Sequence, residues 1–250
     1  MDVAILTVGD ELLAGETTNT NASWLAGRLA DRGARTRRIA TVPDDRAAIG
    51  EYVSRFREEF DAVLVTGGLG NTHDDVTAEA VAAALDRDLV APESLQERLR
   101  EKAARVREER PELFEEHDLE LDAEAAARVP TGARPVVTDA GWAPAFVVDR
   151  VYVLPGIPAE MEAAFERVAT DFDGDAISRS IFTPLPEGAL PSVLETVRDR
   201  FDVAVGSYPG ADAAPGRIRV SASEPSSVAA AIEWLESTIE TVDPPVETDN

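Results

Sequence analysis

The 250-residue chain contains no cysteine, which excludes disulfides, thiolate metal sites and a cysteine nucleophile. Lysine is almost as scarce. Lys102 is the only one, so arginine supplies nearly all the positive charge. Histidine is limited to His73 and His117, and a lone imidazole makes a poor metal site. No apolar run is long enough to cross a bilayer, and the N-terminus enters a strand without the basic and apolar regions of a signal peptide. A soluble, cytoplasmic protein with no membrane partner is expected. Positive charge is short overall, with 24 basic against 48 acidic residues and a net charge of −24. No basic patch is legible to neutralise phosphates, so no nucleic acid is expected as a partner.

The acidic residues run along the whole length, whereas an acidic tail would concentrate them. With 44% hydrophobic residues the chain is too apolar for a disordered polyanion. An acidic surface nearly free of lysine suits concentrated salt, where a Debye length of about 3 Å removes most self-repulsion. A halophilic cytoplasm is the expectation.

Hydrophobic periodicity alternates strands with helices. Val3–Val8, Arg35–Val42 and Ala62–Thr66 read as strands. Between them lie helices capped at Asn19 or Thr20 and at Asp44 or Asp45, and a third helix runs near Thr77–Ala84. Gly9 to Thr18 reads as a polar loop. A charge-rich helix is predicted from Ser94 to Arg110, with Leu95, Leu99, Ala103 and Val106 as its stripe. Ala145–Val148 and Val151–Leu154 flank Asp149-Arg150 as a hairpin with a two-residue turn. This order implies an α/β fold with a mostly parallel sheet covered on both faces. Beyond about Asp171 the pattern restarts as a small α+β domain over residues 171–242. The tail 243–250 reads as acidic and disordered.

The segment Val63 to Thr77 carries the chemistry. Three glycines within four residues, Gly67, Gly68 and Gly70, follow a strand, then come Asp74, Asp75 and a helix. Such a loop and the following helix N-terminus offer amides to phosphate. Adjacent carboxylates suit a hard divalent cation. Asp10, Asp44, the glycine loop and Asp74–Asp75 all follow strand ends, and ligands of open α/β sheets bind beyond those ends. Each residue has a second reading: Asp75 as a cap of the Thr77 helix, Asp44 as a cap of the second helix, Asp10 in an Asx turn.

Four ordered motifs carry a family resemblance: Val8-Gly9-Asp10-Glu11-Leu12-Leu13-Ala14-Gly15 with Asn19-Thr20-Asn21, Val42-Pro43-Asp44-Asp45, Thr66–Thr77, and Leu154-Pro155-Gly156-Ile157-Pro158. Residues 1–170 resemble the molybdenum-cofactor biosynthesis (MoaB/Mog-like, molybdopterin-binding) domain in the form found at the N-terminus of CinA-type proteins. Asn71 departs from the family, which usually carries proline there. The resemblance implies a three-layer α/β/α fold and a pocket for a phosphorylated pterin or a nucleotide. It implies Asp75, Asp44 and Asp74 as catalytic residues, and Asp74, Asp75 and Asp10 as ligands for magnesium, manganese or cobalt, with potassium as a further ion. Gly67, Gly68, Gly70, Thr72, Asp10, Glu11, Asn21, Pro155 and Gly156 are the implied substrate contacts, and molybdopterin is an implied ligand. A homo-oligomer, dimer or trimer, goes with the family.

The resemblance does not reach the amidase segment of bacterial CinA proteins, so nicotinamide-mononucleotide deamidation is not an expectation it carries. Three functions follow: metal-dependent hydrolysis of a nucleotide diphosphate such as ADP-ribose, molybdopterin binding or adenylyl transfer, and a binding module without turnover. The Gly-Gly-Leu-Gly form favours the first, because adenylyl-transfer relatives usually have Gly-Gly-Thr-Gly. His73 reads as a possible phosphate contact and His117 as solvated. Trp142 stacks on a ring or packs in the core, and Glu97, Glu101, Glu108 and Glu109 read as a solvated helix face.

Overall fold

A computed structural model describes residues 1–70, 75–109, 122–210 and 214–244. The chain divides into two units, residues 1–29 with 35–172, and residues 30–34 with 173–250. In the first unit β1 (Asp2–Val8), β2 (Arg35–Val42), β3 (Ala62–Thr66) and β8 (Val151–Leu154) pair in parallel. The two strands β7 (Ala145–Val148) and β6 (Arg134–Val136) add antiparallel, giving the order β2-β1-β3-β8-β7-β6. The β7–β8 turn forces that reversal, because two residues cannot make a parallel crossover. Asp149 and Arg150 both take positive φ, 46° and 65°, as a type I′ turn needs.

Alternation along β1 divides the core. Ala4, Leu6 and Val8 pack with Ile49, Val53 and Phe56 of α3 (Arg46–Glu59) and Ala80 and Val81 of α4 (Thr77–Ala84). On the other side Trp24 of α2 (Thr20–Asp31) meets Phe165 of α7 (Pro158–Val168) edge-on, and Phe165 stacks on Phe172. Phe172 in turn touches Tyr152 of β8. The result is the expected α/β/α layering. β2, at the sheet edge, carries Arg35, Arg37 and Arg38, charges that discourage edge-to-edge pairing.

Several short elements escape the sequence reading, among them the helical turn α1 (Asp10–Leu13) inside the expected loop, the strands β4 and β5 (Leu89–Val90 with Val129–Pro130), β6, and α6 (Ala123–Ala126). Elements this short show no usable period by themselves, and none of these has the two-residue turn that marked the equally short β7 and β8. No helix among the described residues is long and apolar enough to cross a membrane.

α5 (Glu93–Glu109) buries Leu95 and Leu99 as expected, but the third buried residue is Lys102 rather than Ala103 or Val106. Lys102 is 6% exposed. Its ammonium donates to Thr138 O at 2.7 Å and to Gly141 O, and lies 5.7 Å from the Trp142 ring centre. Burial holds the amine below its ordinary pKa, opposed by Asp139 and Glu160; burial raises the Glu160 carboxyl, opposed by Lys102. The ammonium, with three donors on one nitrogen, serves both carbonyls from this spot. Lys102→Met leaves two carbonyls without their donor. It is expected to cost about 3 kcal/mol and to lower Tm by roughly 6–12 °C in thermal denaturation.

The second unit holds the antiparallel sheet β10 (Ala204–Tyr208), β11 (Gly216–Ala222) and β9 (Ile177–Thr183), in that order. Residues from α8 (Pro191–Arg200) and α9 (Pro225–Thr238) pack on one face of it.

Candidate functional site

The parallel register places Val8 opposite Val42, Thr7 opposite Thr66, and Thr66 opposite Leu154. The segments that follow these strands therefore leave from one edge of the sheet.

Asp44 and Asp45 take different tasks there. The Asp45 carboxylate accepts from Ala48 N at 2.9 Å and caps α3, which removes the capping role from Asp44. Asp44 Oδ2 instead accepts from Asp10 N at 2.9 Å, at the first residue of α1. Its other oxygen, Oδ1, lies 3.5 Å from where a Cβ on Gly68 would stand. Asp44 thus joins the β1 and β2 segments to the glycine loop. Asp10 and Glu11 are both exposed, and the Glu11 carboxylate folds over Gly9.

The glycines are not equivalent. Gly67 N donates to Leu154 O at 3.2 Å, so this amide belongs to the sheet and is not available to phosphate, contrary to the cradle expected of it. Gly67 has φ +109°, and a Cβ there would overlap Val8 O. Gly68 has φ +64° and lies directly against the Thr77 hydroxyl, and Gly70 lies against the Asp75 carboxylate. The cap position of α4 is Val76, with no side-chain acceptor; Asp75 is the residue before it and faces the loop. Thr72, His73 and Asp74 lie outside the described residues, as does His117.

Thr77, which the sequence reading used only as a helix boundary or cap, lies against the glycine loop. It is 0% exposed, and its Oγ1 has no hydrogen-bond partner among the described residues. Nothing in the spacing marks it, because its meaning comes from Gly68 lying on it.

A second group surrounds Asn21. Its Nδ2 donates to Gly156 O at 2.7 Å and Thr66 Oγ1 at 3.3 Å, and Thr66 Oγ1 donates to Pro155 O at 2.7 Å. Asn21 Oδ1 is buried and unpartnered among the described residues. Asn19 is the cap of α2, accepting from Ala22 N at 3.1 Å. An open cleft of about 80 Å³ lies here, lined by Thr7, Glu11, Thr18, Asn21, Thr66 and Gly156 among others. Asp44, Gly68, Gly70 and Asp75 do not line it. Gly156 would place a Cβ 3.3 Å from the Gly67 Cα, so the two groups meet at Gly67. Trp142 lies beside Lys102.

Among the described residues no three histidines or carboxylates cluster as a self-sufficient metal site. The donors at the loop are carboxylates, which suit a hard cation. Magnesium commonly uses one or two carboxylates and completes its shell with water and substrate phosphate. Asp44 near Gly68 and Asp75 against Gly70 are the two carboxylates at the loop that could serve that pattern.

Residues 4–174 match the family model described as a probable molybdopterin binding domain, and residues 175–243 match the FAD synthase middle domain. A protein of Archaeoglobus fulgidus is 38% identical over 228 residues, 89% of this chain and 90% of that protein. A CinA-like protein of Citrifermentans bemidjiense is 37% identical over 212 residues, 76% of this chain and 48% of that protein. The chain therefore spans about half the length of that relative. Among solved structures, the protein CinA of Thermoplasma acidophilum, described as having unknown function, aligns with a TM-score of 0.57. Its identity is 32%, over 68% of this chain and 97% of that one. With the glycine loop, the paired strand-end carboxylates and the Pro155-Gly156 turn in one rim, this chain belongs to the molybdopterin-binding-domain family in its CinA-like form.

Proposed function

We propose that this chain hydrolyses a nucleotide diphosphate such as ADP-ribose at the rim of its first unit. The observation that carries the reading is the placement of Asp44. Its neighbour Asp45 serves the helix, leaving Asp44 between the Asp10 amide and Gly68, while Asp75 lies against Gly70 of the same loop. The hydroxyl- and amide-lined cleft at Asn21 suits the hydrogen-bonding edge of a base or pterin. The loop beyond Gly67 suits the diphosphate.

Asp44 and Asp75, with Asp10 and Asp74 as further candidates, would hold the divalent ion. When bound, such an ion neutralises charge building on the bridging oxygen. Gly68 and Gly70 let the diphosphate approach the main chain closely. The Thr77 hydroxyl under Gly68 gives the loop a preplaced donor. A carboxylate not engaged with the ion orients the attacking water. Leu69 packs against the core, so that position adds no hydroxyl to the loop.

The family match favours a second reading, molybdopterin binding or adenylyl transfer. Incubation of the purified chain with ADP-ribose, FAD and ATP in high potassium chloride, with and without magnesium, manganese or cobalt, separates the two. Metal-dependent AMP release that Asp75→Asn abolishes is the expected result. A folded protein that leaves every substrate intact and carries a pterin absorbance overturns the hydrolase reading in favour of the second.

A further inference from the structure

The sheet of the second unit has one covered face and one open face. Ile181, Val205, Ile218, Val220 and Ala222 meet α8 and α9 in its core. Side chains alternate along a strand, so the residues between them form the opposite face. The register sorts these into rows. Phe182, Arg217 and Tyr208 lie side by side, and Val242 extends that row through its pairing with Phe182. Ser180, Arg219 and Gly206 form the next row, and Ser178, Ser221 and Ala204 the third.

None of these positions is acidic, in a chain with 48 acidic residues and a net charge of −24. Neither arginine has a carboxylate partner among the described residues. Both are nevertheless held in place. The Arg217 guanidinium lies 5.0 Å from the Tyr208 ring centre, and Arg219 donates to Ser178 Oγ at 2.8 Å. Two steps along β11 separate them by about 7 Å. The Tyr208 ring lies across Gly206, where a Cβ would stand 3.3 Å from it, yet Tyr208 remains 48% exposed. An aromatic–guanidinium platform therefore adjoins a cationic, hydroxyl-bearing row of small residues.

We propose that this open face binds a nucleoside diphosphate, its base stacked on the Tyr208–Arg217 pair and its phosphates held by Arg217 and Arg219. Planar stacking uses the platform, and guanidinium forks match phosphate oxygens. The charge of the whole chain selects a small ligand. A long polyanion would run onto the acidic surface beyond the patch, whereas a diphosphate stays within about one Debye length of the two arginines.

The test uses the full chain. Photolabelling with 8-azido-ADP, followed by peptide mapping, is expected to mark residues 201–217, with protection by excess ADP. In calorimetric titration with ADP, Arg217→Gln combined with Arg219→Gln is expected to weaken this binding at least tenfold, and Tyr208→Ser several-fold. Asp75→Asn leaves the label in place, so this site and the hydrolase reading stand or fall separately. Absence of label between 201 and 217 in the wild-type chain overturns the proposal, and this arm depends on no variant folding. A single-stranded dodecanucleotide that displaces the label more than tenfold better than ADP replaces it with a polynucleotide surface. If the double variant changes the mass by light scattering with ADP affinity unchanged, the face is instead a contact between copies.

Discussion

Asp44→Asn is expected to lower metal-dependent diphosphate hydrolysis roughly a hundredfold or more while the protein melts close to the wild-type temperature. Asparagine keeps a carbonyl oxygen for the Asp10 amide, which the aspartate accepts at 2.9 Å, so the link between α1 and β2 survives. What disappears is the negative charge facing the glycine loop. Asp45→Ala is expected to do the reverse. It removes the acceptor for Ala48 N and costs about 1 kcal/mol of helix capping, a fall in Tm of roughly 2–4 °C, with turnover retained. The two residues are adjacent and chemically identical, so position alone makes the difference. Steady-state assays beside thermal melts decide the matter. Comparable loss of turnover in both variants, or an active Asp44→Asn enzyme, would remove Asp44 from the site.

That division of labour could not be read from the sequence, where Asp44 and Asp45 were equal candidates for one cap. The bounds of β2 and β3 were legible in the sequence, and α4 was placed near its observed span, because β-rich or apolar runs there are bounded by turn and cap residues. The Asp149-Arg150 turn was legible because a two-residue gap between apolar runs permits few geometries. Contacts across the sheet were not. Gly67, Gly68 and Gly70 look alike in the chain, yet Gly67 gives its amide to Leu154, and Gly68 and Gly70 rest on Thr77 and Asp75. Asn21 was implied by resemblance alone; its bonds to Gly156 and Thr66 span 135 and 45 residues of sequence. Lys102 stood out by its rarity, but its burial contradicts the usual behaviour of lysine. Only the carbonyls of Thr138 and Gly141 explain it.

The Gly67 contact carries the largest stability effect expected here. Gly67→Ala must hold a side chain at φ +109°, and its Cβ must displace Val8 O at the end of a central strand. The strained backbone costs about 1–3 kcal/mol, and overlap with rigid main chain adds about as much again. A fall in Tm of roughly 10 °C or more follows for a chain of this size. Gly15→Ala is the control: φ is +73°, but no atom lies within 4 Å, so only the left-handed backbone cost of about 1–2 kcal/mol applies. The two variants share the conformational penalty, and their difference isolates the collision with β1. Ligand binding should suffer in Gly67→Ala as well, since the Pro155-Gly156 turn rests on Gly67 and is tied through Gly156 O to Asn21. If both variants melt together, the close approach of β1 to the glycine loop is not what holds this rim. If Gly67→Ala melts far lower and binds more weakly, the glycine is there because the two halves of the site meet through its missing side chain.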